Sequence, residues 1–208
     1  MTTYGIMQDR IANEVARSNL ASEIRDAIQS AIRHYQGERF WFNENTATFM
    51  TVAGQEYYGA PAHADIPNII EMDAAKITVN GIDSALAPRD FAYLDAVRGS
   101  TVHRGAPTDY AIYNQQIRLY PVPDAAYTCT VAYVRLLGTV SQTASANAWF
   151  IEGEGLIRSR AKRDLFRHVI RDFDEAAVMR EAEIESLIQL RTETERRVAG
   201  GRIRAHGT

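Results

Sequence analysis

Apolar residues recur every three or four positions through the first 36 residues of the chain. Within residues 3–17, one helical face carries Tyr4, Met7, Ile11 and Val15. Thr2 or Thr3 is suited to cap this helix, since a threonine side chain can accept a hydrogen bond from a free backbone N–H. A second helix is expected after Ser22, with Gly37 as its stop and an apolar face made of Ile24, Ile28, Ile32 and Tyr35. The pattern therefore predicts a helical hairpin.

Between residues 44 and 140 the pattern changes to alternation with a period of two, broken by turn residues. The expected strands are ATFMTV (47–52), QEYY (55–58), residues 69–79, IDSALA (82–87), DYAIYN (109–114), IRLYPV (117–122) and YTCTVAYVRLL (127–137). Turns are expected at Ala53-Gly54, at Asn80-Gly81 in the type I′ conformation, and at Gln115-Gln116. A short helix with Pro88 in its first turn and Gly99 after its end is also expected.

Helix-forming residues return from Leu156 to Val198. Two apolar stripes are visible there, one of Leu165, Val169 and Phe173 and another of Ile184, Leu187 and Leu190. The stripes lose phase near residues 171–174, and Asp172 and Glu175 have the spacing of a capping box. Two helices are therefore favoured over a single rod of roughly 60 Å, and both possibilities stay open.

The order of these elements predicts an α+β fold. In it, the N- and C-terminal helices form a bundle around an inserted, mainly antiparallel β module, and an extended C-terminal arm follows. The expected boundaries are a helical hairpin at 1–43, the β module at 44–148, the C-terminal helices at 149–199 and the arm at 200–208.

Composition restricts the classes of function. The 208 residues carry 23 Lys+Arg against 26 Asp+Glu, a net charge of −3, and residues 155–208 are basic with 12 against 9. A DNA-binding domain usually shows a denser stripe of basic residues than this C-terminal region does. No apolar run is long enough to span a membrane, no secretory signal is visible, and the one cysteine, Cys129, cannot form an intrachain disulfide. We expect a protein that is made in the cytoplasm and is not a membrane protein.

Candidate catalytic chemistry is sparse. The five histidines and Cys129 form no cluster with metal-ligand spacing, and no phosphate-binding or dinucleotide-binding motif occurs, so no metal, cofactor or catalytic residue is expected. Glu152 and Glu154 lie near aromatic residues, where a carboxyl group can act as a general acid. A helix N-terminus is the simpler interpretation of these two acids. The aromatic residues 40–42, Phe-Trp-Phe, could bind a ligand or a base. The favoured interpretation is that they pack the insertion on its host helices.

Six stretches in this order resemble the phage head-to-tail adaptor proteins: IANEVARSNLASEIRDAIQSAIRHY with RFWFNE, then GQEYY, ITVNG, GAPTDYAIYNQQIRLYPVPDAAYT and NAWFIEGEGLIRSRAKRDL. The resemblance covers about residues 3–204. It implies a structural virion protein at the head–tail junction, not an enzyme, that forms a homo-oligomeric ring of twelve subunits under the portal protein. It also implies a next tail component, a nozzle or a stopper, as a partner. Genomic DNA would pass through the channel without sequence-specific binding.

The resemblance also assigns a portal-docking arm, consisting of Gly200, Gly201, Arg202, Ile203, Arg204, Ala205 and His206. Two glycines are expected to stop the preceding helix and to act as a hinge, and an apolar residue between two arginines suits a pocket bordered by carboxylates. A disordered terminus is the alternative. Two other functions remain open, a virion-associated peptidoglycan hydrolase and a DNA-binding packaging protein.

Charged residues on the predicted C-terminal helices suggest contacts between neighbouring subunits. We expect some of Arg158, Arg160, Arg163, Glu181, Glu183 and Glu185 to be used there, at partly exposed positions where single ion pairs contribute little.

Overall fold

The computed structural model describes residues 2–17, 19–59, 69–99, 101–138 and 147–200. These residues contain six α-helices and eight strands, which confirms the α+β class. They form two compact units, a helical unit from residues 1–43 and 137–208 and a β unit from residues 44–136.

The helices are α1 (Tyr4–Val15), α2 (Ala21–Tyr35), α3 (Phe91–Arg98), α4 (Ala148–Ile151), α5 (Glu154–Leu165) and α6 (Phe173–Gly200). The first predicted helix is confirmed: its four apolar residues are buried, and Thr3 accepts a hydrogen bond from the backbone N–H of Ile6 at 3.3 Å. The second begins at Ala21, before the expected position. The Ser22 hydroxyl does not cap it, since that hydroxyl donates to the Glu23 carboxylate at 2.8 Å.

One apolar core holds the helical unit together. Helix α5 packs against α1, α2 and α6. The fully buried members of the core include Met7, Ile11, Ile28, Ile32, Phe40, Trp149, Phe150 and Ile157. At about 25 cal/mol per Å² of apolar surface removed from water, such side chains each contribute about 1.5–3 kcal/mol to folding.

The region from Leu156 to Val198 forms two helices, as favoured. After α5 the chain makes a π turn (Phe166–Ile170), Arg171 adopts φ 63°, and the Asp172 carboxylate accepts the backbone N–H of Glu175 at 3.1 Å to cap α6. The predicted stripe of Leu165, Val169 and Phe173 is wrong beyond its first member. Val169 and Phe173 are 41% and 68% exposed, because residues 166–172, the α5–α6 junction, shift the helical phase.

The strands are β1 (Glu44–Met50), β2 (Tyr57–Tyr58), β3 (Ile69–Val79), β4 (Ile82–Ala85), β5 (Ala87–Pro88), β6 (Asp109–Tyr113), β7 (Gln116–Tyr120) and β8 (Thr128–Arg135). They form two four-stranded sheets, in the orders β1-β8-β3-β4 and β2-β7-β6-β5. All of the pairs are antiparallel except β5 with β6. Side chains of both sheets, including Tyr58, Ile77, Ile117, Leu119, Val131 and Tyr133, form one core.

The turns between strands agree with the sequence in one place and differ in another. Asn80 and Gly81 have φ values of 51° and 79°, as a type I′ turn between β3 and β4 requires. The β6–β7 turn is formed by Asn114 and Gln115, with φ 50° and 61°, so the expected Gln115-Gln116 turn is displaced by one residue. Helix α3 begins after Asp90, and Pro88 lies in β5, so the prediction of Pro88 in the first helical turn is wrong.

A buried arginine ties α3 to β7 in the β unit. The Arg118 side chain is 1% exposed, and its Nε donates to the Glu56 carboxylate at 2.6 Å. Its Nη2 lies 3.4 Å from the Asp95 carboxylate, and its guanidinium carbon lies 4.8 Å from the centre of the Phe91 ring. Asp95 and Phe91 both belong to α3, so this one side chain connects the helix to the sheet.

The left-handed residue at the α5–α6 junction yields a stability prediction. A side chain in this region of backbone space costs about 1–2 kcal/mol, a cost that glycine largely avoids. We expect Arg171→Gly to raise the free energy of unfolding by up to ~1 kcal/mol, and Arg171→Val to lower it. Urea denaturation monitored by circular dichroism measures both. A lower stability for the glycine variant would show that the arginine side chain makes a stabilising contact larger than its backbone cost.

Candidate functional site

The arm assigned by resemblance begins where α6 ends. Gly200 is the last residue of α6, so the helix includes the first of the two glycines that were expected to stop it. The remaining arm residues, Gly201, Arg202, Ile203, Arg204, Ala205 and His206, lie outside the described residues. The position of the arm therefore depends on what holds the last turns of α6.

The last turns of α6 are held against residues 41–43. The Arg197 guanidinium lies 4.6 Å from the centre of the Trp41 ring, and the backbone N–H of Trp41 donates to the Thr194 hydroxyl at 3.3 Å. Glu193 accepts hydrogen bonds from Arg196 and Arg197, which lower the pKa of its carboxyl group to about 2. The helix is thus anchored to within three residues of Gly200.

The aromatic residues 40–42 lie in the helical unit. Phe40 and Trp149 are fully buried, with ring centres 5.8 Å apart, and Phe42 packs on both at 5.2 Å. Phe40 thus packs inside the core, while Trp41 and Phe42 are half-buried at its edge, which agrees with a packing role for this cluster.

A buried acidic residue joins α2, α5 and α6. Glu183 is 3% exposed and accepts hydrogen bonds from Tyr35 of α2, from Arg160 at 3.1 Å and from Arg163 at 2.5 Å. Burial, followed by the hydrogen bond to Glu183, raises the pKa of the Tyr35 hydroxyl above its usual value. The four side chains form a charge-assisted network, which is favourable when every member is paired.

This network uses, within the chain, some of the charged residues of which a part was expected to contact neighbouring subunits. Arg160, Arg163 and Glu183 bind one another within the chain, and Arg158 lies 3.4 Å from Glu14. Arg158 and Glu14 keep about a third of their side-chain surface exposed, at 33% and 36%. Glu181 and Glu185 are exposed.

An apolar stripe runs along the solvent-facing side of α6. We call Phe173, Ala177, Ile184 and Ile188 the α6 stripe; all four are exposed, and the three large ones are 68%, 47% and 58% exposed. A shallow groove at its centre is lined by Glu181, Ile184, Glu185, Ile188 and Gln189. At 100° per residue these four positions lie next to the buried face of α6, so the helix carries exposed apolar side chains beside its core-facing ones.

Among the residues considered for catalysis, Glu154 and Cys129 contribute to the fold, and the others that the structure describes are exposed. Glu154 is the first residue of α5, where it accepts hydrogen bonds from Arg10 and from Thr2, and Glu152 is exposed. Cys129 is buried in β8, and burial raises the pKa of its thiol to about 12, which disfavours the nucleophilic thiolate. His34, His103 and His168 are exposed, and His63 and His206 lie outside the described residues.

Two further properties of the described residues concern metal binding and membrane spans. In this part of the chain, no group of three or more His, Cys, Asp or Glu side chains is arranged to hold a metal ion. No described helix is both long and apolar enough to cross a membrane. The features of the described residues that stand out are surfaces, namely the anchored end of α6 and the α6 stripe.

Comparison with known families agrees with this class. The family model described as SU10 adaptor protein matches residues 2–205, nearly the whole chain. The chain therefore belongs to this family of phage head–tail adaptors, a structural and not an enzymatic family, and the resemblance seen in the sequence is confirmed. Comparison with curated proteins gives no match.

Two functional features went unrecognised in the sequence, and both have a signal there. Glu183 lies seven residues from each of Ala176 and Leu190, which places it on the buried face of α6. The predicted stripe of Ile184, Leu187 and Leu190 is wrong in its first member, since Ile184 is 47% exposed and lies with Ile188, four residues later, beside the Leu187–Leu190 face.

Loss of the buried carboxylate tests the network. We expect Glu183→Ala to lower the free energy of unfolding by about 3–5 kcal/mol, because two arginines and a tyrosine lose their partner. Glu181→Ala, a matched change two residues away at an exposed site, should stay within about 0.5 kcal/mol of the unmodified protein. Urea denaturation measures both. Equal effects of the two changes would contradict a special role for Glu183.

Proposed function

We propose that this chain is one subunit of a homo-oligomeric ring that docks under the portal protein and links the capsid to the tail. The supporting observation is the family match over residues 2–205, which spans both units and continues past the end of α6. The ring lies at the head–tail junction of the virion, with twelve subunits if it follows the resemblance. A nozzle or stopper protein binds on its other side, and genomic DNA passes through the channel without sequence-specific contacts.

The arm, from Gly200 to His206, is the proposed portal-binding segment. Its composition supports this role, since Ile203 can fill an apolar pocket while Arg202 and Arg204 pair with carboxylates at the rim. The anchored end of α6 gives each arm a defined starting point, because Arg197 is held on Trp41 only three residues before Gly200. The rest of the body need not change shape when the arm binds.

The energetics favour binding through many arms at once. Ordering a flexible segment costs about 1–2 kcal/mol per residue for the backbone alone, so a seven-residue arm binds weakly by itself. Repetition around a ring raises the effective concentration of each further arm and adds avidity. The portal therefore stabilises the ring, and the ring in turn strengthens docking.

Imaging of the assembled complex tests the ring. We expect the protein, mixed with portal complexes isolated from the same phage, to add a ring of density at the tail-facing end of the portal in electron micrographs. Portals alone serve as the control. The proposal is wrong if the protein leaves the portals undecorated at concentrations well above those needed for other head–tail contacts.

The arm itself is tested by truncation and by one substitution. Truncation after Ala199 is expected to leave the thermal stability nearly unchanged and to weaken portal binding severely. Ile203→Asp in the full-length chain should act in the same way, because a charge is placed in an apolar pocket. Thr208→Asp adds the same charge outside the proposed contact and should bind normally. Pull-down on immobilised portals measures binding, and normal binding by the truncated chain would remove the arm from the proposal.

A further inference from the structure

A groove in the helical unit lies between residues 23–30 of α2 and residues 164–169, at the end of α5 and in the π turn; we call it the α2–α5 groove. Its floor is apolar, since Ala27 and Leu165 are buried and Val169 is half-buried beside them. The lining residues of α2 are three or four positions apart, so they share one face of the helix. With a volume of about 400 Å³, the groove has the size of a ligand site.

Two carboxylates at the rim of this groove have no cationic partner among the described residues. Glu23 accepts a hydrogen bond from the neighbouring serine hydroxyl, and neither Glu23 nor Asp26 forms an ion pair in that part of the chain. The third carboxylate, Asp164, is shared with two arginines of α5 at 3.5 and 3.1 Å. Of the lining residues, His168 alone can carry a positive charge. The groove therefore suits a basic segment that contains an apolar residue.

The arm of this chain has that composition. Residues 201–208 lie outside the described residues, and they include Arg202, Ile203 and Arg204 in succession. In an extended chain, two residues that are two positions apart are about 7 Å apart. Glu23 and Asp26 are three positions apart on a helix, which places them about 5–6 Å apart. The two arginines can therefore reach the two carboxylates while the isoleucine lies between them.

The arm cannot reach the groove of its own subunit. Helix α6, from Phe173 to Gly200, is about 40 Å long at 1.5 Å per residue. Even when fully extended, the three residues from Gly200 to Ile203 and the four from Val169 to Phe173 together span only about 25 Å. The groove and the start of the arm lie at opposite ends of the helix, so the arm that fits the groove belongs to another copy.

We propose that the α2–α5 groove binds the arm of a second copy of this chain, with Ile203 on the apolar floor and the two arginines paired with Glu23 and Asp26. The contact joins two different surfaces, so each copy gives one arm and receives one, which is the head-to-tail pattern from which rings are built. Because the arm must be ordered when it binds, a single contact is weak.

The groove beside the α6 stripe also has acidic borders, but it fits the arm less well. All of its lining residues belong to one helix, so it has no second wall that could enclose a side chain. In the α2–α5 groove, two segments of the chain face each other across a buried floor. Glu185, at the border of the first groove, therefore provides a matched control.

Binding of the arm as a peptide gives the first test. A fluorescent peptide of residues 199–208 should bind the full chain that carries Ile203→Asp, whose own arm does not compete. Asp26→Lys in this receptor should raise the dissociation constant, measured by fluorescence anisotropy, at least about tenfold, and Glu185→Lys should leave it unchanged. No binding at millimolar peptide, or a larger effect of Glu185→Lys than of Asp26→Lys, would overturn the proposal.

Charge exchange and crosslinking locate the arm. A peptide with Arg204→Glu should bind the Asp26→Lys receptor more tightly than the unmodified peptide does. Chains with Val169→Cys, mixed with chains with Ile203→Cys, should form mixed disulfide pairs under mild oxidation, whereas Val178→Cys, at a 53% exposed position of α6, should not. The buried Cys129 leaves the introduced thiols as the reactive ones. Equal yields at 169 and 178, or no gain from the charge exchange, would contradict this site.

The same peptide separates this contact from the proposed portal contact, with which it shares only the arm. An arm occupies one site at a time, so isolated portals should compete with the receptor for the peptide. Binding to portals but not to this chain would overturn the groove contact alone. Binding to this chain but not to portals would leave the groove contact in place and remove the portal contact.

Discussion

The burial of one carboxylate determines how the helical unit is built. Glu183 lies on the inner face of α6 at 3% exposure, where an unpaired charge would be severely destabilising. Arg160 and Arg163 from α5 and Tyr35 from α2 meet it there, so two consecutive C-terminal helices and one N-terminal helix must converge on one point. An apolar core alone tolerates several packings of similar energy, and a charged network that must be fully satisfied selects among them.

Helix α6 follows from this arrangement and serves more than one purpose. Its inner face completes the core through Leu190 and Glu183, the exposed face beside it carries the α6 stripe, and its last turns are held by Trp41. These contacts lie on different sides of the helix or at different heights along it. Substitutions on the exposed face can therefore change interactions with other proteins with little effect on the fold.

Features that depend on local sequence could be predicted, and those that depend on distant partners could not. The four buried residues of α1 follow from periodicity, and the Asn80-Gly81 turn follows from the φ values that these residues tolerate. Periodicity does not tell which strands pair: β1 lies beside β8, from the other end of the β unit, and β2 lies in the other sheet. Arg160, Arg163 and Glu183 were among the charged residues of which some were expected between subunits, and the sequence did not reveal their contacts within the chain because charge carries no information on burial. The arm is a proposal that rests on the resemblance, since its composition alone also fits a disordered terminus.

The anchoring of α6 also has a mechanical consequence. Tension applied to the chain beyond Gly200 acts along the helix axis and first loads the side contacts of its last turns. These are the contacts of Arg197 with Trp41, of Trp41 with Thr194 and of Arg191 with Glu38. They would have to break before the tension reaches the α5–α6 junction. Because a pull along the helix axis loads these three contacts together, they share the force instead of breaking one at a time. The body of the subunit is thereby shielded from strain imposed on its end.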